Sequence, residues 1–224
     1  QAYLAALEDS SELSVLRAAA DFYVRQQRVE KAEELMRRII ARDDAAGPDL
    51  HWARRNLGLL WGVGRGYAEF ERGLALLNKN LQLPDPRPED MRAKAILLSA
   101  QPALKFKLEG IRLLEELIKR EAVASSDLFV LAKLYDGAGR WSDAQRQLQA
   151  LVTVSPTVEH VSYYVRALLA HGVLRDVDLW LARLKKLAPD AAETTELSVR
   201  LAVAQAEFSS ALDQLQQFTA GGPA

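Results

Sequence analysis

Apolar residues recur along this chain at helical spacing, in pairs of short runs separated by tight turns. The clearest unit runs from Leu128 to Pro156. Leu128, Leu131, Ala132 and Tyr135 fall at i, i+3, i+4 and i+7, one stripe of a 3.6-residue period. Gly139 is placed where that helix must stop, since a helix commonly closes through a left-handed residue that glycine adopts without strain. Ala144, Leu148, Leu151 and Val152 form the stripe of a second helix, and Pro156 ends it. The same order appears in Leu16, Ala19, Ala20 and Tyr23 followed by Ala32, Met36 and Ile39, with Asp44 standing where Pro156 stands. It appears again in Val161, Tyr164, Val165 and Leu168, then Gly172 as the turn, then Val177, Leu181 and Leu184 up to Pro189.

Three further pairs are less regular. Gly47 and Pro48 break the chain before a helix carrying Leu57, Gly58 and Trp61. A longer glycine-bearing turn follows, and Gly73 opens the next stripe ahead of Leu77, Leu81 and Pro84. After a proline-rich connector, Glu89 or Asp90 is the expected start of a helix whose register stays open among Ala93, Ala95 and Ala100. Gln101-Pro102 ends it, and Gly110, Leu114 and Leu117 mark its partner. The last pair carries Ala211, Leu215 and Phe218 beyond a shortened turn. Gln1 to Leu7 has helical spacing of its own, and Asp9, Ser10 and Ser11 are candidate N-caps for the helix after it. The small residue opening each second stripe is Ala32, Gly73, Gly110, Ala144, Val177 and Ala211, with successive spacings of 41, 37, 34, 33 and 34 residues.

Spacings that converge on 34, with this order of large and small positions, resemble the tetratricopeptide repeat (TPR) family. The resemblance implies an all-α fold: a right-handed solenoid of antiparallel helix pairs, a TPR-like superhelix. It would run through residues 1–224 as one array of about six pairs, in which each repeat completes its core on the next. Regular repeats are expected near 13–45, 125–157 and 158–190, and degenerate ones near 50–85, 89–121 and 193–219. The family's usual work is non-catalytic: a protein-interaction scaffold that holds a peptide or protein segment in a concave groove lined by first helices. The corresponding positions here are Arg17 and Asp21, Arg55 and Leu59, Phe129 and Lys133, and Ser162 and Arg166. These are the expected groove residues. The lysine–asparagine clamp that some members use for a terminal carboxylate is not matched, Asn56 being the only asparagine near these positions. The alternative function is a regulatory or sensor segment of a larger signalling protein, linked to a kinase or a transcription module.

Composition narrows the chemistry. A formal charge of −1 creates no overall basic field, so nucleic acid is not an expected partner. Cysteine is absent, which removes disulfides and thiolate metal sites. No apolar run is long enough for membrane insertion. A soluble protein is expected and its compartment is left open. The first residue is Gln, so the chain reads as a piece of something longer. His51, His160 and His171 show no metal-ligand spacing, and the run from Gly62 to Gly66 matches no phosphate-binding loop. No serine has a nucleophile context. The expectation is therefore no catalysis, no cofactor and no metal.

Tyr23, Trp61 and Tyr135 share one repeat position and read as core. Trp141 reads as packing on the turn, and Trp52 and Trp180, off the main stripes, as partly exposed. The eight groove positions carry four cations against Asp21 alone, which favours an acidic segment with an apolar anchor. Phe208, Leu212, Leu215 and Phe218 lie on the last helix with no further repeat to cover them, so self-association through the array end is a second expectation.

Overall fold

The computed structural model describes residues 12–42, 47–82, 86–120 and 124–220. Among them are twelve α-helices and no strand. Two compact units divide the chain, residues 1–122 and 123–224. The first holds α1 (Leu13–Arg25), α2 (Val29–Ile40), α3 (Gly47–Gly62), α4 (Tyr67–Leu81), α5 (Pro88–Ser99) and α6 (Leu104–Arg120). The second holds α7 (Ser125–Gly137), α8 (Trp141–Val154), α9 (Val158–Ala170), α10 (Leu174–Leu187), α11 (Ala192–Ala204) and α12 (Phe208–Ala220). The expected leading helix at Gln1–Leu7, the candidate caps Asp9 to Ser11, Asp44 and Pro84 lie outside the described residues. Glu12 stands at the N-cap of α1.

Each odd helix pairs with the even helix after it, and the pairs stack within each unit. In the first unit α2 packs on α3 and α4 on α5, while α3 touches both α1 and α5. In the second, α8 packs on α9 and α10 on α11, and α9 meets α11 directly. This is the all-α arrangement of antiparallel helix pairs that a 34-residue period requires.

The turns explain how one short sequence pattern produces the pairs. In four of the six, the chain leaves the first helix through one residue at positive φ: Gln27 at 56°, Gly139 at 75°, Gly172 at 68° and Ala206 at 62°. The next amide then donates back to a carbonyl five residues earlier. Arg28 bonds Tyr23 at 2.9 Å, Arg140 bonds Tyr135 at 2.8 Å, Val173 bonds Leu168 at 2.9 Å and Glu207 bonds Ala202 at 2.8 Å. These are the long bonds of a Schellman ending, which satisfies carbonyls that a helix terminus would otherwise leave unpaired. The last turn is thus not shortened. It has the same bond as the others, with Ala206 where two of the other turns have glycine.

Small residues set the closest approaches. All six marker positions are buried. A Cβ added to Gly73 would lie 2.3 Å from the carbonyl oxygen of Gly58, and one on Gly58 would lie 2.9 Å from that of Gly73. The α3 and α4 backbones therefore touch where neither residue has a side chain. Gly62 leaves similar room for Leu97 of α5, whose Cδ1 would lie 2.1 Å from a Cβ there.

Several local expectations are corrected. Gly47 and Pro48 belong to the first turn of α3, where proline's missing N–H has no helical acceptor in any case. Asp90 does not start its helix but lies inside α5, which begins at Pro88. Ala93 and Ala95 are buried in that helix, and Ala100 is exposed. In α7, Phe129 and Leu134 are buried while Leu128 and Tyr135 are only half-buried. Trp52 and Trp180 are 8% and 7% exposed rather than partly open. Trp52 joins the core of the first unit, under the Arg17 guanidinium, and Trp180 packs edge-on against Tyr164.

Candidate functional site

The expected groove residues divide between the two units. In the second unit Phe129 and Lys133 of α7 and Ser162 and Arg166 of α9 line one open depression of about 430 Å³. Val158, Glu159, Tyr163 and Glu193 complete its wall. Its floor is aromatic. The Phe129 ring meets Tyr163 edge-on at 5.4 Å between centroids and lies 4.7 Å from the His160 ring. His160 is held in turn, its Nδ1–H donating to the Ser155 carbonyl at 2.9 Å. Thr157 caps the start of α9 by accepting from the His160 amide, which places Val158 and Glu159 at the rim.

Charge in this depression is mostly paired. Arg166 bonds Glu193 of α11 across the gap between first helices. Lys133 lies with its Nζ 4.4 Å from the Phe129 centroid, a cation-on-ring contact worth about 0.5–1 kcal/mol where exposed. No ion pair with a carboxylate of the described residues engages it. Ser162 is buried and donates to the Glu159 carbonyl at 3.3 Å, so its hydroxyl faces its own helix. Tyr163 donates to Asp136 Oδ2 at 3.0 Å. Burial, and then the Asp136 charge, push its phenol well above the ordinary tyrosine range, so it remains a donor. Asp136 also accepts from His171 Nε2 at 2.7 Å, and His171 stacks on Trp141 at 4.0 Å. Trp141 thus packs on a turn as expected, though the turn is that of the next pair.

In the first unit Arg17 and Asp21 of α1 line a depression of about 500 Å³ with Ser14, Asp49 and Trp52. Arg17 donates to Asp49 at 3.0 Å and lies over Trp52, while Asp21 pairs with Arg25. Leu59 is half-buried and lines neither depression.

Arg55 has a different role from the one its position suggests. Its Nη1 donates to Oδ1 of Asp90 at 2.9 Å, and Asp90 is wholly buried. His51 Nδ1 meets Asp90 Oδ2 at 2.8 Å, and the Asn80 amide donates to Asp90 Oδ1 and to the His51 carbonyl, both at 3.0 Å. Asp90 of α5 is therefore the acceptor hub for α3 and α4. A carboxylate so enclosed persists only because several donors replace its water. With Arg17, Arg55 and Arg166 each committed to a carboxylate, the excess of four cations over one acid counted along the sequence largely disappears. Asp49, Asp90 and Glu193 are 32, 35 and 27 residues from their arginines. Sequence reasoning missed them because no helical spacing links residues so far apart.

Among the described residues no group of three or more histidines, aspartates or glutamates is arranged to hold a metal ion, and no helix is long and apolar enough to cross a membrane.

No family model matches the sequence, and no curated protein matches it. Among solved structures the chain is similar to a tetratricopeptide repeat protein from Parabacteroides merdae. The TM-score is 0.72 and the identity 14%, over 95% of this chain and 80% of that one. At that identity the likeness speaks for architecture alone. The helix pairs, the recurrent Schellman turns and this likeness agree: the chain has a tetratricopeptide-repeat-like fold.

Proposed function

We propose that the protein is a non-catalytic interaction module that holds a peptide or protein segment against its first helices, at the depression between α7 and α9. The observation that carries this reading is that Phe129, Lys133, Ser162 and Arg166, picked from repeat position alone, line one depression with an aromatic floor. Aromatic walls supply contact area at little entropic cost, and one cation without a carboxylate partner selects among ligands. The segment that fits carries an acidic residue for Lys133 beside an apolar side chain that packs on exposed Val158 and the Phe129 edge. A TPR-like fold accords with binding work rather than chemistry, and the depression gathers no nucleophile with an adjacent base.

Panning an acidic–apolar peptide library on the full chain tests this. The hits are expected to bind less tightly as salt rises, and Lys133→Glu is expected to weaken them by about tenfold or more. Lys133 lies at the surface of the depression, so the variant is expected to retain its helical circular dichroism. Hits whose affinity and salt dependence are the same in wild type and variant would overturn the reading.

A further inference from the structure

The second unit presents a different surface on α10. Val177, Trp180, Leu181 and Leu184 bury the inner face of this helix. Leu179 points the other way and is 69% exposed. Arg175, Arg183 and Lys186 stand at i−4, i+4 and i+7 from it, within about 40° on a helix of 3.6 residues per turn. All three are exposed, Arg175 with 93% of its side chain open. Leu187, at i+8, is also exposed.

The pairing pattern sets this face apart. Across the chain most arginines have a carboxylate nearby, as Arg17, Arg55 and Arg166 do. Here Arg175 has only a 3.6 Å contact with its neighbour Asp176, and Arg183 leans on the Trp180 ring at 5.7 Å. Neither Arg183 nor Lys186 forms an ion pair with a carboxylate of the described residues. The remaining acid of the helix, Asp178, lies toward α11 with Lys185, where both border the groove between α10 and α12. Three cations thus surround one protruding leucine, on a chain whose net charge is −1.

We propose that the outward face of α10 docks an acidic amphipathic helix of a protein partner, which seats an apolar side chain beside Leu179 and sets carboxylates against Arg175, Arg183 and Lys186. Charge complementarity selects this occupant. An anionic bilayer would also attract the cations, but an interfacial helix must offer a broad apolar face to the lipid. The apolar face of α10 is committed to the protein core, leaving Leu179 and the flanking Leu187. A helix with glutamates spaced i, i+4 and i+7 around a leucine meets the same geometry from the other side.

The experiment uses the full chain and a synthetic helix of that design, with a glutamine version as control. The glutamate helix is expected to bind, more weakly as salt rises, and the glutamine helix to lose most of the affinity. Arg183→Glu with Lys186→Glu is expected to weaken binding by at least about tenfold, and Leu179→Ser to weaken it as well. Loss of affinity in Lys133→Glu with no loss in the Arg183→Glu, Lys186→Glu variant would place the helix in the depression between α7 and α9 and overturn the proposal. All three α10 substitutions are at exposed positions, and unchanged helical circular dichroism and thermal midpoint check that they fold. Equal affinity in the charge-reversed variant would overturn the proposal. So would binding to phosphatidylserine vesicles with no binding to the glutamate helix.

Discussion

Glycine at position 73 shows how much a single missing side chain can decide. Alanine is the better helix former by about 1 kcal/mol, so propensity alone favours Gly73→Ala in α4. The structure reverses that sign, because the new Cβ would lie 2.3 Å from a backbone carbonyl that cannot swing aside. Overpacking of this kind costs about 1–3 kcal/mol, and the variant is expected to unfold at lower urea concentration than wild type. Gly64 is the informative contrast. It has φ +80° and nothing within 4 Å of a Cβ, so Gly64→Ala carries only the left-handed backbone penalty of about 1 kcal/mol. A Gly73→Ala midpoint at or above that of wild type would refute the close-approach account. Asp90 teaches a related lesson. Near the start of a helix an aspartate reads as a capping residue, yet here it is the buried acceptor for His51, Arg55 and Asn80.

At the scale of elements, the recurrent turn joins local sequence to packing. The same five-residue back-bond closes α1, α7, α9 and α11, and so aims each second helix along its partner. Two of the four turns meet the left-handed requirement with glycine and two do not. A non-glycine residue there carries about 1–2 kcal/mol of strain, part of which glycine returns through its freer unfolded chain. Ala206→Gly is therefore expected to stabilise the protein by up to about 1 kcal/mol, visible as a raised thermal midpoint. Gly139→Ala should do the reverse. A lowered midpoint for Ala206→Gly would show that the turn is held by contacts other than its backbone conformation. The depression between α7 and α9 depends on such turns, because Gly139 and Gly172 end the two helices that bear its walls.

For the whole molecule, the exposed apolar face of α12 sets the expected behaviour in solution. Phe208, Leu212 and Leu215 are 66%, 56% and 46% exposed, with Phe218 beside them. The helix carries one formal charge, Asp213, so two copies can bring these stripes together without like-charge repulsion. We infer a weak, concentration-dependent association of the chain with a second copy through this face. Sedimentation equilibrium is expected to show mass rising with concentration for wild type and a monomer for Leu212→Glu with Leu215→Glu. Wild type that stays monomeric at the highest soluble concentration, or a variant that associates as before, would refute it.

Local pattern sufficed for the helices, for most of their stops and for the small residues between them. Each of those depends on neighbours within about one or two turns of the same chain. The buried stripe of α1 and the left-handed turns at Gly139 and Gly172 needed nothing more. The positions of Phe129, Lys133, Ser162 and Arg166 were also legible, because repeat register alone assigns them to first helices. What they touch was not. Arg55 finds Asp90, Arg166 finds Glu193 and Tyr163 finds Asp136 only after separate helices have docked, and 27 or more residues separate each pair. Trp52 lies off the stripe of Leu57, Gly58 and Trp61 and is buried because a neighbouring element covers it, whereas Trp180 shares the inward stripe of Val177, Leu181 and Leu184. Periodicity along one helix reports which face turns inward, but charge pairing and coverage are properties of two helices at once. They come into being with the packing.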